Sequence, residues 1–374
     1  MKILRTVQVL SVVFFNLTSN IVADGIVYQS AVHNANQQIH VISVDIKQLY
    51  SLWLNHAVGD VCNREELSSM GLRHKPTVGF PVGSFHRGGR YNGCPKELLV
   101  MDSFVYSDAG LTKPTLLFNA SDRTIGIKQQ KMDWQVVIGD LTVPVQKVNQ
   151  PITQDDEVVL YNAFFGRDTR TLASGLELVI ERGKLIQVWS YWGNARIPSQ
   201  GYVVHIGAEH PLATINWEAY LGASCKSLQT NSIDLLQDNV FAVQGLLMLV
   251  DQNNIVGNWE QQISAGNATK RLADEHGIEL SDVIQRKVFL LNRQAYLALG
   301  LTSDQTLKIV AGMVTIDELA AYMKNLGCTT AMVASCGDDV ALWFQDKLIR
   351  NNEEKEELPI TTALLLFEHK PLDD

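Results

Sequence analysis

The chain has 374 residues, 46% of them apolar and 19% charged, and a net charge of -9. This length supports one large domain or two ordinary ones, and the balance of apolar to charged residues is that of a globular protein. With an acidic excess and no basic block to neutralise phosphates, nucleic acid is excluded as a partner.

The N-terminus has the layout of an export signal. Lys2 and Arg5 precede an apolar run over residues 7–15, and Ile21-Val22-Ala23 offers a cleavage site before Asp24. This predicts a leader over residues 1–23, a mature domain over 24–374, and a secreted or periplasmic location. A buried N-terminal strand or helix is the competing reading. No later stretch approaches the roughly 20 apolar residues that a membrane span needs, so no transmembrane anchor is expected after the leader. The five cysteines (Cys62, Cys94, Cys225, Cys328, Cys336) form no Cys-x-x-Cys pair. They allow one or two bridges without specifying which.

Residues 39–46, rich in β-branched side chains, predict a strand, and residues 65–71 a short helix stopped by Gly71. The glycine-dense stretch over residues 77–94 requires an irregular backbone, and Asn92-Gly93 is a turn signal. His86, Arg87 and Arg90 on this loop are candidates to grip an anion, because guanidinium forks match phosphate geometry. A solvated hairpin tip with incidental charge is the alternative. Short strands follow at 124–127, 134–138, 158–166, 176–180, 185–188 and 201–206, separated by turn residues, which is an antiparallel β pattern. Residues 208–239 are weakly patterned and suit an excursion or linker. Residues 243–250 read as one strand, 251–277 as a polar surface loop, and 285–291 and 295–299 as a pair of strands.

The strongest local signal lies near the C-terminus. Thr315 is an N-cap with Glu318 completing a capping box, Ile316, Leu319, Ala320, Met323 and Leu326 form one apolar face, and Gly327 closes the helix. A buried strand over 331–334 is then expected, a polar turn Ser335-Cys336-Gly337-Asp338-Asp339, and a further apolar run over 340–343; residues 360–367 form a last buried strand. The fold class read from these elements is α+β, mostly antiparallel sheet with a few packed helices.

The order Thr-Ile-x-Glu-Leu-Ala, Leu-Gly-Cys, apolar strand and small-residue turn resembles the C-terminal signature of the phosphodiester glycosidase family. Further likenesses are His86-Arg-Gly-Gly-Arg-Tyr-Asn-Gly, the Leu-Tyr-x-x-x-Phe-Gly segment from Leu160, the Gly-x-Glu-x-Val strand from Gly175, and Ile-Pro-x-x-Gly-Tyr-Val from Ile197. The resemblance implies an exported protein that hydrolyses a glycosyl phosphodiester. A site for that reaction needs a group to hold the departing phosphate, stabilisation of an oxocarbenium-like transition state, and a carboxyl group to manage protons. The family's turn Asp, strand Arg and loop Asn fall here on Ser335, Arg286 and Pro81, so one of the three is kept. Asp338 and Asp339, which share the turn with Ser335, are the candidates to replace the missing Asp, and with the Arg286 that the resemblance implies they form the catalytic set; His86, Arg87, Arg90, Asn92 and Ser335 are expected to bind a carbohydrate or sugar-phosphate ligand. A non-catalytic glycan binder of the same fold is the alternative.

Other chemistries are less well supported. No Gly-x-Ser-x-Gly occurs, the nine histidines contain no His-x-x-x-His pair, and no phosphate-binding P-loop is present, so neither metal nor cofactor is expected.

Overall fold

In the computed structural model the described residues are 17–23, 25–33, 37–172, 174–190, 192–230, 236–257, 259, 292–350 and 356–369. The largest element is an eight-stranded antiparallel sheet. Its strands run, in spatial order, Leu17–Ala23, Ile26–His33, Gln37–Asp45, Thr306–Val314, Gln294–Thr302, Cys328–Cys336, Leu247–Asp251 and Asn254–Ile255. The edge strand Leu17–Ala23 thus contains the tripeptide expected to be a cleavage site.

A second sheet orders Lys347–Arg350, Ala341–Phe344, Val78–Pro81, Thr362–Phe367 and Ser51–His56, and a third orders Phe104–Ser107, Leu99–Met101, Val240–Gln244, Lys113–Asn119 and Thr124–Gln130. Ile42, Leu297 and Ile309 of the large sheet meet Phe80 and Leu364 of the second and Leu116 and Val243 of the third in one core. Each such side chain, fully buried, contributes on the order of 1.5–3 kcal/mol. A fourth sheet, Lys147–Val148, Val158–Asn162, Gly201–Ile206, Leu176–Glu181 and Lys184–Ser190, packs with the third sheet and with Leu141–Val145, Trp134–Ile138 and Gln229–Thr230 around a second core. Residues 208–239 contribute to this core directly: Trp217 is 2% exposed within it.

The capping-box helix is present as Ile316–Asn325. Thr315 Oγ1 accepts from the Glu318 amide, and Glu318 Oε2 accepts from the Thr315 amide at 2.9 Å. Its apolar face, Leu319, Ala320 and Met323, covers the other side of the large sheet against Ala298, Val310 and Val333. Gly327 follows with φ +81°, the left-handed conformation that its position requires.

Three expectations need correction. The α+β class does not hold, because the molecule is β-rich: among the described residues only two α-helices, of eight and ten residues, accompany twenty-six strands. The short apolar stretches between turn signals are satisfied by pairing with one another, and helices serve only as covers. Gly71 does not stop the first helix, which runs Leu67–His74. A Cβ at Gly71 would lie 2.4 Å from the Trp343 ring, so glycine is there to admit the indole, and Lys75 at φ 50° ends the helix. The single strand expected over 243–250 is broken, because the backbone at Gly245 passes so close to Val333 O that a Cβ would lie 2.5 Å from it. The chain therefore leaves the third sheet there and enters the first. The strands expected over 285–291 and most of the 251–277 loop lie outside the described residues.

Candidate functional site

The glycine loop after Val78–Pro81 is held at several points. Gly83 N donates to Ala334 O at 2.9 Å, which fastens the loop to the strand Cys328–Cys336. Cys62 and Cys94 form a disulfide across its far end, where a Cβ on Gly93 would overlap Cys62 O. Within the loop, Asn92 Oδ1 accepts from the Gly88 amide at 3.0 Å, so Asn92 braces the turn.

The two polar bends picked out in the sequence do meet. Arg87 Nη2 donates to Asp339 Oδ2 at 2.5 Å, and the same guanidinium lies 5.1 Å from the centre of the Phe85 ring. Burial raises the Asp339 carboxyl above the usual carboxylate range, while Arg87 opposes the rise. Its second oxygen, Oδ1, is buried without a hydrogen-bond partner. Asp338 is exposed on the turn beside it. Ser335 is not on that turn: it is the penultimate residue of the strand Cys328–Cys336, 3% exposed and opposite Leu297. Burial pushes the neighbouring Cys336 thiol up to about 12, with Asp339 adding to the effect, which disfavours the thiolate at neutral pH. Arg286 lies outside the described residues.

Beneath this bend the space is filled from within. Glu97 is 4% exposed and accepts from the Ser84 amide at 2.7 Å, from Ser84 Oγ and from Lys113 Nζ at 2.9 Å. Burial works against its charge, but Lys113 and the Ser84 amide outweigh that and hold its pKa below the ordinary value. His86 likewise turns inward. Its Nε2 lies 3.1 Å from Gln150 Oε1, and since Gln150 Nε2 donates to Pro95 O and Ser107 Oγ, the ring nitrogen is the donor. Burial lowers the His86 pKa, which keeps the ring neutral at pH 7.

Arg90 is different. From the other end of the same loop it reaches a cleft of about 560 Å³ lined by Arg90, Arg170, Thr171, Leu172, Trp192 and Asn194. Arg90 Nη1 donates to Thr171 O at 3.4 Å, and Arg170 Nη1 donates to Arg90 O at 3.1 Å with its guanidinium 4.9 Å from the Phe165 ring centre. Trp192 is 78% exposed at the rim. Arg170 and Asn194 both sit in the left-handed region, at φ 54° and 56°, where a non-glycine residue needs its surroundings to hold it.

A buried acid does so. Glu177, on the inner face of Leu176–Glu181, is 1% exposed and accepts from Thr169 Oγ1 at 2.6 Å, Thr171 Oγ1 at 2.9 Å and the Ala195 amide at 2.9 Å. Thr171 Oγ1 in turn accepts from the Asn194 amide at 2.7 Å. One carboxylate therefore fixes both walls. His205, fully buried with its Nδ1 4.0 Å from Glu177, is too distant to hydrogen-bond, and burial lowers its pKa to about 4.

The sequence reading reached Arg90 but missed Arg170, Trp192 and Glu177 as site residues. An acid among the apolar residues of its strand was the available signal for Glu177, and the aromatic stretch Trp189-Ser190-Tyr191-Trp192 was the one for Trp192. Among the described residues, no group of three or more His, Cys, Asp or Glu side chains is placed to hold a metal ion, and no helix is long and apolar enough to cross a membrane.

No known family and no curated protein matches the chain. Solved structures do. A hypothetical protein from Synechocystis superposes with a TM-score of 0.71 at 16% identity over 91% of this chain, which spans 62% of that protein's length. A Burkholderia pseudomallei protein described as exported gives 0.67 at 17% identity, over 90% of this chain and 74% of that one. The catalytic domain of zebrafish N-acetylglucosamine-1-phosphodiester alpha-N-acetylglucosaminidase, auto-inhibited by its pro-peptide, gives 0.42 at 10% identity, over 93% and 83% of the two chains. That last score does not establish a common fold. The chain therefore shares its β-rich fold with the cyanobacterial and Burkholderia proteins, and at these identities the likeness is one of fold alone.

Proposed function

We propose that this chain is an exported carbohydrate-binding protein, built on a phosphodiester-glycosidase-like scaffold whose hydrolytic bend is closed. One observation carries the reading. At the bend Arg87 is paired with Asp339 and Glu97 with Lys113, while Arg90 of the same loop opens onto a cleft with a second guanidinium and an exposed indole. An indole face is a platform for the apolar face of a pyranose ring, and fixed polar groups around it supply orientation. The motif likenesses and the export-type N-terminus agree with an extracytoplasmic glycan ligand.

Hydrolysis is the second reading, and Asp339 favours it: a partly buried carboxyl with a raised pKa and one unpartnered oxygen is suited to act as an acid. The two are separated by incubating the full chain with an N-acetylglucosaminyl phosphodiester and measuring free sugar, alongside calorimetric titration with oligosaccharides. The binding reading expects saturable binding and no sugar release above that of Asp339→Asn. Release that Asp339→Asn abolishes would overturn it.

A further inference from the structure

The geometry points to an acidic glycan as the ligand of the Arg90–Arg170–Trp192 cleft: a uronate-bearing oligosaccharide, one ring stacked on Trp192 and its carboxylate held between the two guanidiniums. This rests on the carbohydrate-binding reading and narrows it to one chemical class.

Charge comes first. The chain as a whole is acidic, at -9, yet the cleft is lined by two arginines and by no carboxylate. Both cations are positioned from the protein side, Arg90 by Thr171 O and Arg170 by Arg90 O and the Phe165 ring. Less side-chain freedom is then lost when an anion is bound. Close beneath, Glu177 is buried and spends its oxygens on Thr169, Thr171 and Ala195, so it supports the walls without competing for the guanidiniums.

The choice between carboxylate and phosphate follows from the backbone. Phosphate sites characteristically gather free amide N–H groups. Here two of the lining amides are already used: Asn194 N donates to Thr171 Oγ1 at 2.7 Å and Arg170 N to Asp168 Oδ1 at 3.2 Å. Recognition falls to the planar guanidinium forks, whose spacing matches the two oxygens of a carboxylate. Trp192 at the rim, with Leu172 also exposed beside the cleft, leaves an open apolar edge along which further sugar rings can lie.

The test is calorimetric titration of the full chain at low salt with trigalacturonate, a neutral trisaccharide and glucose 1-phosphate. Trigalacturonate is expected to bind at least tenfold more tightly than either of the others. Trp192→Ala should weaken it tenfold or more, and Arg90→Gln should reduce its advantage over the neutral sugar to less than threefold. Both positions are exposed, and unchanged melting temperatures would exclude misfolding. If the neutral trisaccharide binds equally well in a Trp192-dependent way, the acidic class is wrong while carbohydrate binding stands. Tighter binding of glucose 1-phosphate also overturns the class, and failure of every sugar to bind overturns both proposals.

Discussion

Arg87 and Asp339, 252 residues apart in the chain, meet at 2.5 Å and join the glycine loop to the turn that follows the strand Cys328–Cys336. The guanidinium is 60% exposed, so solvent screens the pair and its direct worth is small. A double-mutant cycle with Arg87→Ala and Asp339→Ala, read by denaturant unfolding, should give a coupling of about 0.5–1 kcal/mol. A coupling of several kcal/mol would mean that the contact is a structural keystone.

Glu177 should behave otherwise. Three donors and both cleft walls depend on its carboxylate, and hydrogen bonds to a buried charge are costly to break. Glu177→Ala is expected to lower stability by about 3 kcal/mol or more and to weaken ligand binding in the cleft. Stability would be read by chemical denaturation and binding by calorimetry. Loss of stability with unchanged affinity would detach the acid from the site.

Asp108 gives a pH signature. It is fully buried, its oxygens accept from Trp134 Nε1 at 2.6 Å and the Gly110 amide at 2.9 Å, and burial raises its pKa to about 6. Because the folded value lies above the unfolded one, about 3.9, its contribution is fully present below that lower value and is lost as pH rises through the folded one. Between about pH 4 and pH 6 this amounts to roughly 3 kcal/mol. Asp108→Asn should flatten the stability profile over that window in urea unfolding series at stepped pH.

The Cys62–Cys94 bridge closes a loop with a sequence separation of 32 around the residues that carry Arg87 and Arg90. Chain entropy puts its contribution at about 3–4 kcal/mol. Adding a dithiol reductant, or replacing both cysteines by serine, should lower the melting temperature and weaken cleft binding together.

Gly71 tests packing. Gly71→Ala puts a methyl group where the Trp343 ring lies, 2.4 Å away, and should cost about 1–3 kcal/mol by denaturant midpoint, unlike an ordinary helical glycine, where alanine stabilises.

What could be read in advance divides along the range of the interactions. Thr315, Glu318 and Gly327 mark both ends of their helix through contacts within a few residues, and the structure agrees. The alternation of strands and turns likewise announced antiparallel pairing. Gly71 and Gly245 misled because their reason for being glycine is a partner far along the chain, Trp343 in one case and the Val333 carbonyl in the other. Ser335 was placed on a turn because its polarity resembles turn chemistry, but the ladder with Leu297 extends the strand past it. The bends' meeting was anticipated from motif likeness, whereas their mutual neutralisation was not, since it depends on how Arg87 is aimed. Trp192 closes the aromatic stretch Trp189-Ser190-Tyr191-Trp192, but that stretch matches no site motif, and only the fold places the indole beside Arg90 and Arg170.

The most direct measurement is one calorimetric titration run on three proteins, wild type, Trp192→Ala and Asp339→Asn, with the tightest-binding oligosaccharide. Saturable binding that Trp192→Ala weakens tenfold or more and Asp339→Asn leaves intact is the expected result. Binding that survives Trp192→Ala but disappears in Asp339→Asn would place function at the bend and contradict it.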